Sequence, residues 1–273
     1  PTAEERARVP HHLIDVCEPS EPMDIARYCE LARAVVDELS ARREGGVPIL
    51  VTGGSGFYLK AFFAPVVDSV VVPEEVRAKV AVLSREEAVS ELRWLNPSAG
   101  ALGGLDLANP RRVVRALERC LATGKTVAEL RRDFAAQPSL FADYELRLTE
   151  IVREPDDLKK RVSERVEAML RAGLLDEVRG LLARGIKENP SAAGAIGYRE
   201  SIAVLEGRTP LAELEAQIVR NTLALVKKQR TWFRGMLPQP IIKQPEVALV
   251  RQGGTPNALF PDCVGGRLQI WLS

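Results

Sequence analysis

The run Pro48-Ile49-Leu50-Val51-Thr52-Gly53-Gly54-Ser55-Gly56-Phe57-Tyr58 carries an apolar strand into a glycine-rich turn and on to a helix start. Glycines let a backbone turn sharply at a strand's carboxyl end and approach a ligand closely. Ser55 adds a hydroxyl beside the N–H groups of a helix start, so Gly53, Gly54 and Ser55 suit a phosphate or a substrate edge. The same residues also suit plain connection of strand to helix. Asn109-Pro110-Arg111-Arg112-Val113-Val114-Arg115 sets Arg111 and Arg115 one helical turn apart behind an N-terminal cap. Two guanidiniums so spaced can grip a phosphate backbone or a diphosphate; the alternative is a solvated basic face paired to Glu118.

Gly194-Ala195-Ile196-Gly197-Tyr198-Arg199 is a glycine-spaced loop that presents an aromatic and a guanidinium as a helix begins. Tyr198 could stack on a base beside phosphate-binding Arg199, or it could plug the core. Lys227-Lys228-Gln229-Arg230-Thr231-Trp232-Phe233-Arg234 interleaves cations and aromatics. Helical spacing puts Lys227, Arg230 and Arg234 on one face, with Trp232 and Phe233 turned elsewhere. Such a stretch suits a polyanion, although cations near a helix C-terminus also complement its dipole.

The elements that must position these residues read as an α/β chain. His12–Val16 is predicted as a short strand, and a helix follows from its cap Asp24 to about Arg43, ended by Gly45-Gly46. Val47–Val51 is apolar on both faces, as in an interior parallel strand covered by helices. After Phe63 the pattern turns helical: 74–83, 85–95 and 111–123 read as helices with no strand between them, a helical insertion into an α/β core. Tyr144–Val152 returns to β alternation. Helices are predicted again at 155–172, 174–183, 199–205 and 210–234, and 239–273 reads as an irregular tail.

The chain has 273 residues, and 38 Lys and Arg against 37 Asp and Glu leave a net charge of +1. No overall field draws it to nucleic acid or membrane, so any polyanion site is local. Cys17, Cys29, Cys120 and Cys263 form no C-x-x-C pair, and His11 and His12 are adjacent rather than spaced for zinc. Free thiols of a reducing cytoplasm are the expectation. No segment reads as a membrane span or an export signal.

Taken in order, these stretches resemble the tRNA dimethylallyltransferase family, the bacterial-type adenosine prenyltransferases of tRNA. The resemblance covers about 1–238 and rests on Val9-Pro10-His11-His12-Leu13-Ile14-Asp15, Thr123-Gly124-Lys125 and the four runs above. It implies a P-loop-kinase-like parallel sheet core (1–72 and 140–238) with a helical tRNA-binding insertion (73–139). It also implies a reaction: N6 of the adenosine 3′ of the anticodon attacks C1 of dimethylallyl diphosphate, and Mg²⁺ neutralises the leaving diphosphate.

By resemblance, Gly53, Gly54 and Ser55 meet the substrate adenosine, Ser55 standing where the family usually has Thr. Arg77, Arg111, Arg112 and Arg115 meet tRNA, and Gly194, Gly197, Tyr198 and Arg199 line the substrate channel. Lys227, Lys228, Gln229, Arg230 and Arg234 meet the RNA backbone. Leu223 replaces a frequent family arginine. The Walker-type P-loop and the aspartate base of the family have no counterpart, since nothing here reads G-x-x-x-x-G-K-[ST]. The opening at Pro1 suggests that both lie upstream, with most magnesium ligands, so this chain is expected to be inactive alone. The expected partners are the tRNA anticodon stem-loop and dimethylallyl diphosphate, with no membrane, for a cytoplasmic monomer. The alternatives are a non-catalytic tRNA-binding remnant and a small-molecule P-loop kinase that consumes ATP.

Overall fold

The computed structural model describes residues 3–42, 49–98, 100–236, 242–245 and 267–272. In chain order the elements are α1 (Ala3–Arg8), α2 (Ile25–Ala41), β1 (Ile49–Gly53), α3 (Gly56–Lys60), α4 (Glu74–Ala81), α5 (Arg85–Leu95), α6 (Pro110–Thr123) and α7 (Val127–Ala135). There follow β2 (Glu145–Val152), α8 (Pro155–Arg171), α9 (Leu174–Ala183), α10 (Pro190–Ala193), α11 (Tyr198–Leu205), α12 (Leu214–Met236), β3 (Ile242–Pro245) and β4 (Arg267–Leu272). The chain divides into two compact units, one of 1–63 with 140–273 and one of 64–139.

In the first unit the strands form one parallel sheet in the order β1-β4-β2-β3. Parallel pairing with helices between the strands is the α/β arrangement expected from the sequence. The last strand in the chain, β4, lies between β1 and β2, with Leu268 opposite both Ile49 and Leu146. The stretch read as an irregular tail therefore holds two strands. β-Alternation in 239–273 is too short and too interrupted by Pro and Gly to be seen without its sheet neighbours.

Two further readings change. β1 is at the edge of the described strands, and Leu50 is 49% exposed while Ile49 and Val51 pack on the core, so only one face is covered. His12–Val16 is not a strand: Leu13 and Asp15 have φ of 60° and 55°. A strand needs extended φ throughout, and Asp15 instead reaches back to α1, its carboxylate 2.7 Å from Arg6. The helix stop at Gly45-Gly46, Val47 and Pro48 of the predicted strand, and Cys263 lie outside the described residues; Cys17, Cys29 and Cys120 are free thiols.

One core of this unit joins Ala32 and Val36 of α2, Leu59 of α3, Phe62, Phe141, Leu148 of β2 and Phe233 of α12. Phe62 and Phe141 stack with centroids 4.5 Å apart, so the residues that flank 64–139 meet inside this core. Arg33 of α2 fastens the same place, donating to the Leu140 carbonyl and to both carboxylate oxygens of Asp143 at 2.8–2.9 Å. A second core joins α8, α9, α11 and α12 through Val162, Val166, Leu174, Val178, Ile202, Leu214 and Ile218.

The unit 64–139 is helical, as its punctuation dictates. Ser84 and Thr126 form capping boxes with Glu87 and Glu129, and Pro110 opens α6 behind the cap Asn109. Gly124 closes α6 at φ 69°, where a side chain would be strained. Val113, Leu117 and Cys120 recur at helical spacing along α6 and are fully buried against Val80 of α4 and Leu92 of α5.

Candidate functional site

The helical unit presents cations outward. Because Val113, Leu117 and Cys120 take the buried stripe of α6, Arg111, Arg112 and Arg115 face water. Arg111 and Arg112 are exposed and make no ion pair among the described residues; the same holds for Arg77 on α4. Arg115 is different. It pairs with Glu118 at 3.4 Å, and Glu118 is nearly buried, so the solvated-pair alternative describes Arg115 but not Arg111 or Arg112. Arg119, which no motif pointed to, binds Asp68 at 2.5 Å and the Arg115 carbonyl, and so ties α6 to the segment that precedes α4.

In the other unit, Gly53 ends β1 and Ser55 caps α3, which has only five residues. The Ser55 side chain is exposed and makes no capping bond, so its hydroxyl faces outward unused. The Gly54 carbonyl accepts a hydrogen bond from Gln229 Nε2 at 2.9 Å. Gly56 is pressed beneath Trp232: a Cβ there would lie 2.3 Å from the indole ring. The turn is thus built together with α12, a helix 175 residues away in sequence.

The loop before α11 is organised by Glu200, which is 3% exposed. Its carboxylate accepts from the Gly197 N–H at 2.7 Å, from Arg199 Nε at 3.1 Å and from Asn221 Nδ2 of α12 at 2.7 Å. Burial pushes this carboxyl up, but those hydrogen bonds outweigh burial and hold it below its usual 4.5. Gly197 has φ 96° and is buried, so glycine is required by backbone geometry. Gly194 has an ordinary φ and instead caps α10. Tyr198 is half-buried against the second core and donates its hydroxyl to Glu177. Burial first, then that bond, pushes its phenol up to about 12. Tyr198 is therefore anchored at its hydroxyl and packed on one side against the second core.

On α12 the sequence-selected cations separate. Lys227, Lys228 and Arg234 are exposed and unpaired among the described residues. Arg230 is half-buried and donates to the Arg153 carbonyl at the end of β2, at 3.2 Å. Leu223 packs on the second core. Between α8 and α12 lies a cavity of 530 Å³ with apolar walls that include Val166, Met169 and Ile218, and with Arg161, Arg165 and Arg230 in its lining. Sequence reasoning missed Arg161 and Arg165. Their spacing of one helical turn, the signal that selected Arg111 and Arg115, was available on α8. Among the described residues no group of three His, Cys, Asp or Glu side chains could hold a metal, and no helix is long and apolar enough to cross a membrane.

Fold and surface together define an α/β protein of nearly neutral net charge with exposed, unpaired cations on α4, α6 and α12 among the described residues. A family model described as IPP transferase matches residues 1–236. A relative from Opitutus terrae named tRNA dimethylallyltransferase is 59% identical over 254 residues, which cover 93% of this chain and 80% of that protein. One of the same name from Bdellovibrio bacteriovorus is 35% identical, over 86% of this chain and 75% of its own. The crystal structure of a tRNA isopentenylpyrophosphate transferase from Bacillus halodurans is similar with a TM-score of 0.58 and 31% identity, over 90% of this chain and 74% of that one. The chain belongs to the IPP transferase family.

Proposed function

We propose that this protein transfers a dimethylallyl group from dimethylallyl diphosphate to N6 of the adenosine 3′ of the anticodon in tRNA, as a cytoplasmic monomer with a P-loop-kinase-like core. The observation that carries the reading is the exposure of Arg111 and Arg112, without carboxylate partners among the described residues, on a helical unit set into an α/β chain of this family. Such guanidiniums bind phosphates without sequence preference and orient an RNA stem. The N6 lone pair forms a bond to C1 of the prenyl group as the C1–O bond breaks, and diphosphate leaves with that electron pair. N6 then gives up a proton to a base, a role assigned to no described residue.

Ser55 is the group proposed to meet the adenosine, because its hydroxyl is exposed and unclaimed at the turn. Gly53 and Gly54 supply backbone shape beside it, Gly194 and Gly197 shape the loop before α11, and Arg199, Lys227, Lys228 and Arg234 extend the cationic contacts. Magnesium would neutralise the leaving diphosphate, but the described acidic residues form no ligand set for it, so no step here is assigned through the metal. The test is a prenyl-transfer assay with dimethylallyl diphosphate, magnesium and an anticodon stem-loop. N6-dimethylallyladenosine in the RNA is the expected product, and Ser55→Ala lowers turnover more than RNA affinity. RNA binding without that product would leave the non-catalytic tRNA-binding alternative.

A further inference from the structure

We infer that Gln229 is a positioning residue, holding the Gly53–Ser55 turn in its working shape from the inner face of α12. The inference rests on the proposed role of that turn, and it moves Gln229 out of the RNA-contacting set. The Gly54 carbonyl can only accept, so the bond at 2.9 Å fixes which end of the Gln229 amide faces the turn. That carbonyl belongs to the peptide unit immediately before Ser55, so the bond controls the direction in which the Ser55 hydroxyl is presented.

A second contact acts on the other side of Ser55. The Trp232 indole lies so close to Gly56 that a Cβ would come within 2.3 Å of Cδ2 and Cε3. Residues 229, 232 and 233 share one face of α12 by helical spacing, and Phe233 is 4% exposed in the core, so this face is anchored. Arg230 adds a separate tie to the Arg153 carbonyl. Lys227 and Arg234 lie on the far side of the helix and stay exposed. One helix therefore divides its labour: the inner face shapes the turn, and the outer face keeps its charges in solvent. A short turn followed by a five-residue helix has little rigidity of its own, and preorganisation of a reacting group must come from such neighbours.

The test uses neutral variants. Gln229→Met keeps the length and apolar stem but cannot donate; Gln229→His restores an N–H donor. We expect Gln229→Met to slow single-turnover prenyl transfer at saturating RNA by about five- to tenfold, the scale of one lost hydrogen bond. RNA affinity should change by less than about twofold, and Gln229→His should recover most of the rate. Weakened RNA binding at an unchanged saturated rate would overturn the inference and return Gln229 to the RNA surface. Backbone hydrogen exchange over 53–60 separates this from failure of the proposed activity. If the unmodified chain transfers no prenyl group, faster exchange in Gln229→Met and in Gly56→Ala still supports positioning, and unchanged exchange overturns it.

Discussion

Two basic helices, α6 and α12, look alike in sequence and do different things. Both mix arginine with apolar residues near a helix terminus. At the head of α6, Arg111 and Arg112 reach nothing but solvent among the described residues. On α12, Gln229 and Arg230 spend their donors on the carbonyls of Gly54 and Arg153. The difference lies in what each helix packs against. α6 buries a narrow stripe of Val113, Leu117 and Cys120 and leaves Arg111 and Arg112 outside. α12 runs beside both cores of its unit, so Gln229 and Arg230 meet a loop carbonyl and a strand-end carbonyl. A cation or amide beside an accepting carbonyl becomes structural; one beside water stays available to a ligand.

The comparison can be broken most forcefully at Phe233. Truncation to Ala should cost about 3–5 kcal/mol in denaturant unfolding, because it empties a fully packed site where α12 meets the core. A loss below about 1 kcal/mol would show that α12 is not anchored there. Next in size is Gly197→Ala. With φ at 96°, an added Cβ should cost roughly 1–3 kcal/mol by the same measurement.

Arg111→Ala and Arg112→Ala sharpen the other side. Each should leave stability within about 0.5 kcal/mol, since neither side chain bonds to the described structure. Each should also lower the salt dependence of RNA binding by about one unit of slope. A destabilised variant with unchanged RNA binding would mean that α6 resembles α12 after all.

The smallest effect is expected at Glu200. Its carboxyl is held below its usual 4.5 in the folded chain, so the stability it adds is present above that value and drains away as pH falls through the lowered pKa. Glu200→Gln should therefore flatten the acid limb of a stability–pH curve while leaving its alkaline side unchanged in shape. An acid limb as steep as before would show that the network around Gly197 does not depend on this charge.

Much of the local structure was legible because its signals are local. Asp24 and Asn109 announce helix starts through side-chain bonds made within three residues. Gly124 announces a stop through its own φ. His12–Val16 misled because apolar alternation says nothing about two residues with positive φ. The strands in 239–273 were missed because a strand of four to six residues is defined by its neighbours. Among the proposed site residues, Arg111 and Arg112 read correctly as exposed cations, since a buried helical stripe implies its own opposite face. Arg115, Tyr198, Gln229 and Arg230 were chosen by type, and each also bonds within the fold, to Glu118, Glu177, Gly54 and Arg153 respectively.

The amino-acid order alone determined most of the longer helices, the caps at Asp24 and Asn109, the parallel α/β character and the kinship that six ordered motifs display. Side-chain periodicity and backbone preference act over a few residues, and order along the chain carries them in full. Tertiary structure alone decided which cations remain in solvent, which strand fills the gap between β1 and β2, and that Gln229 and Trp232 build a turn 175 residues away. Those outcomes depend on which carbonyl or ring arrives beside a given side chain, and packing across the chain, rather than spacing along it, sets that encounter.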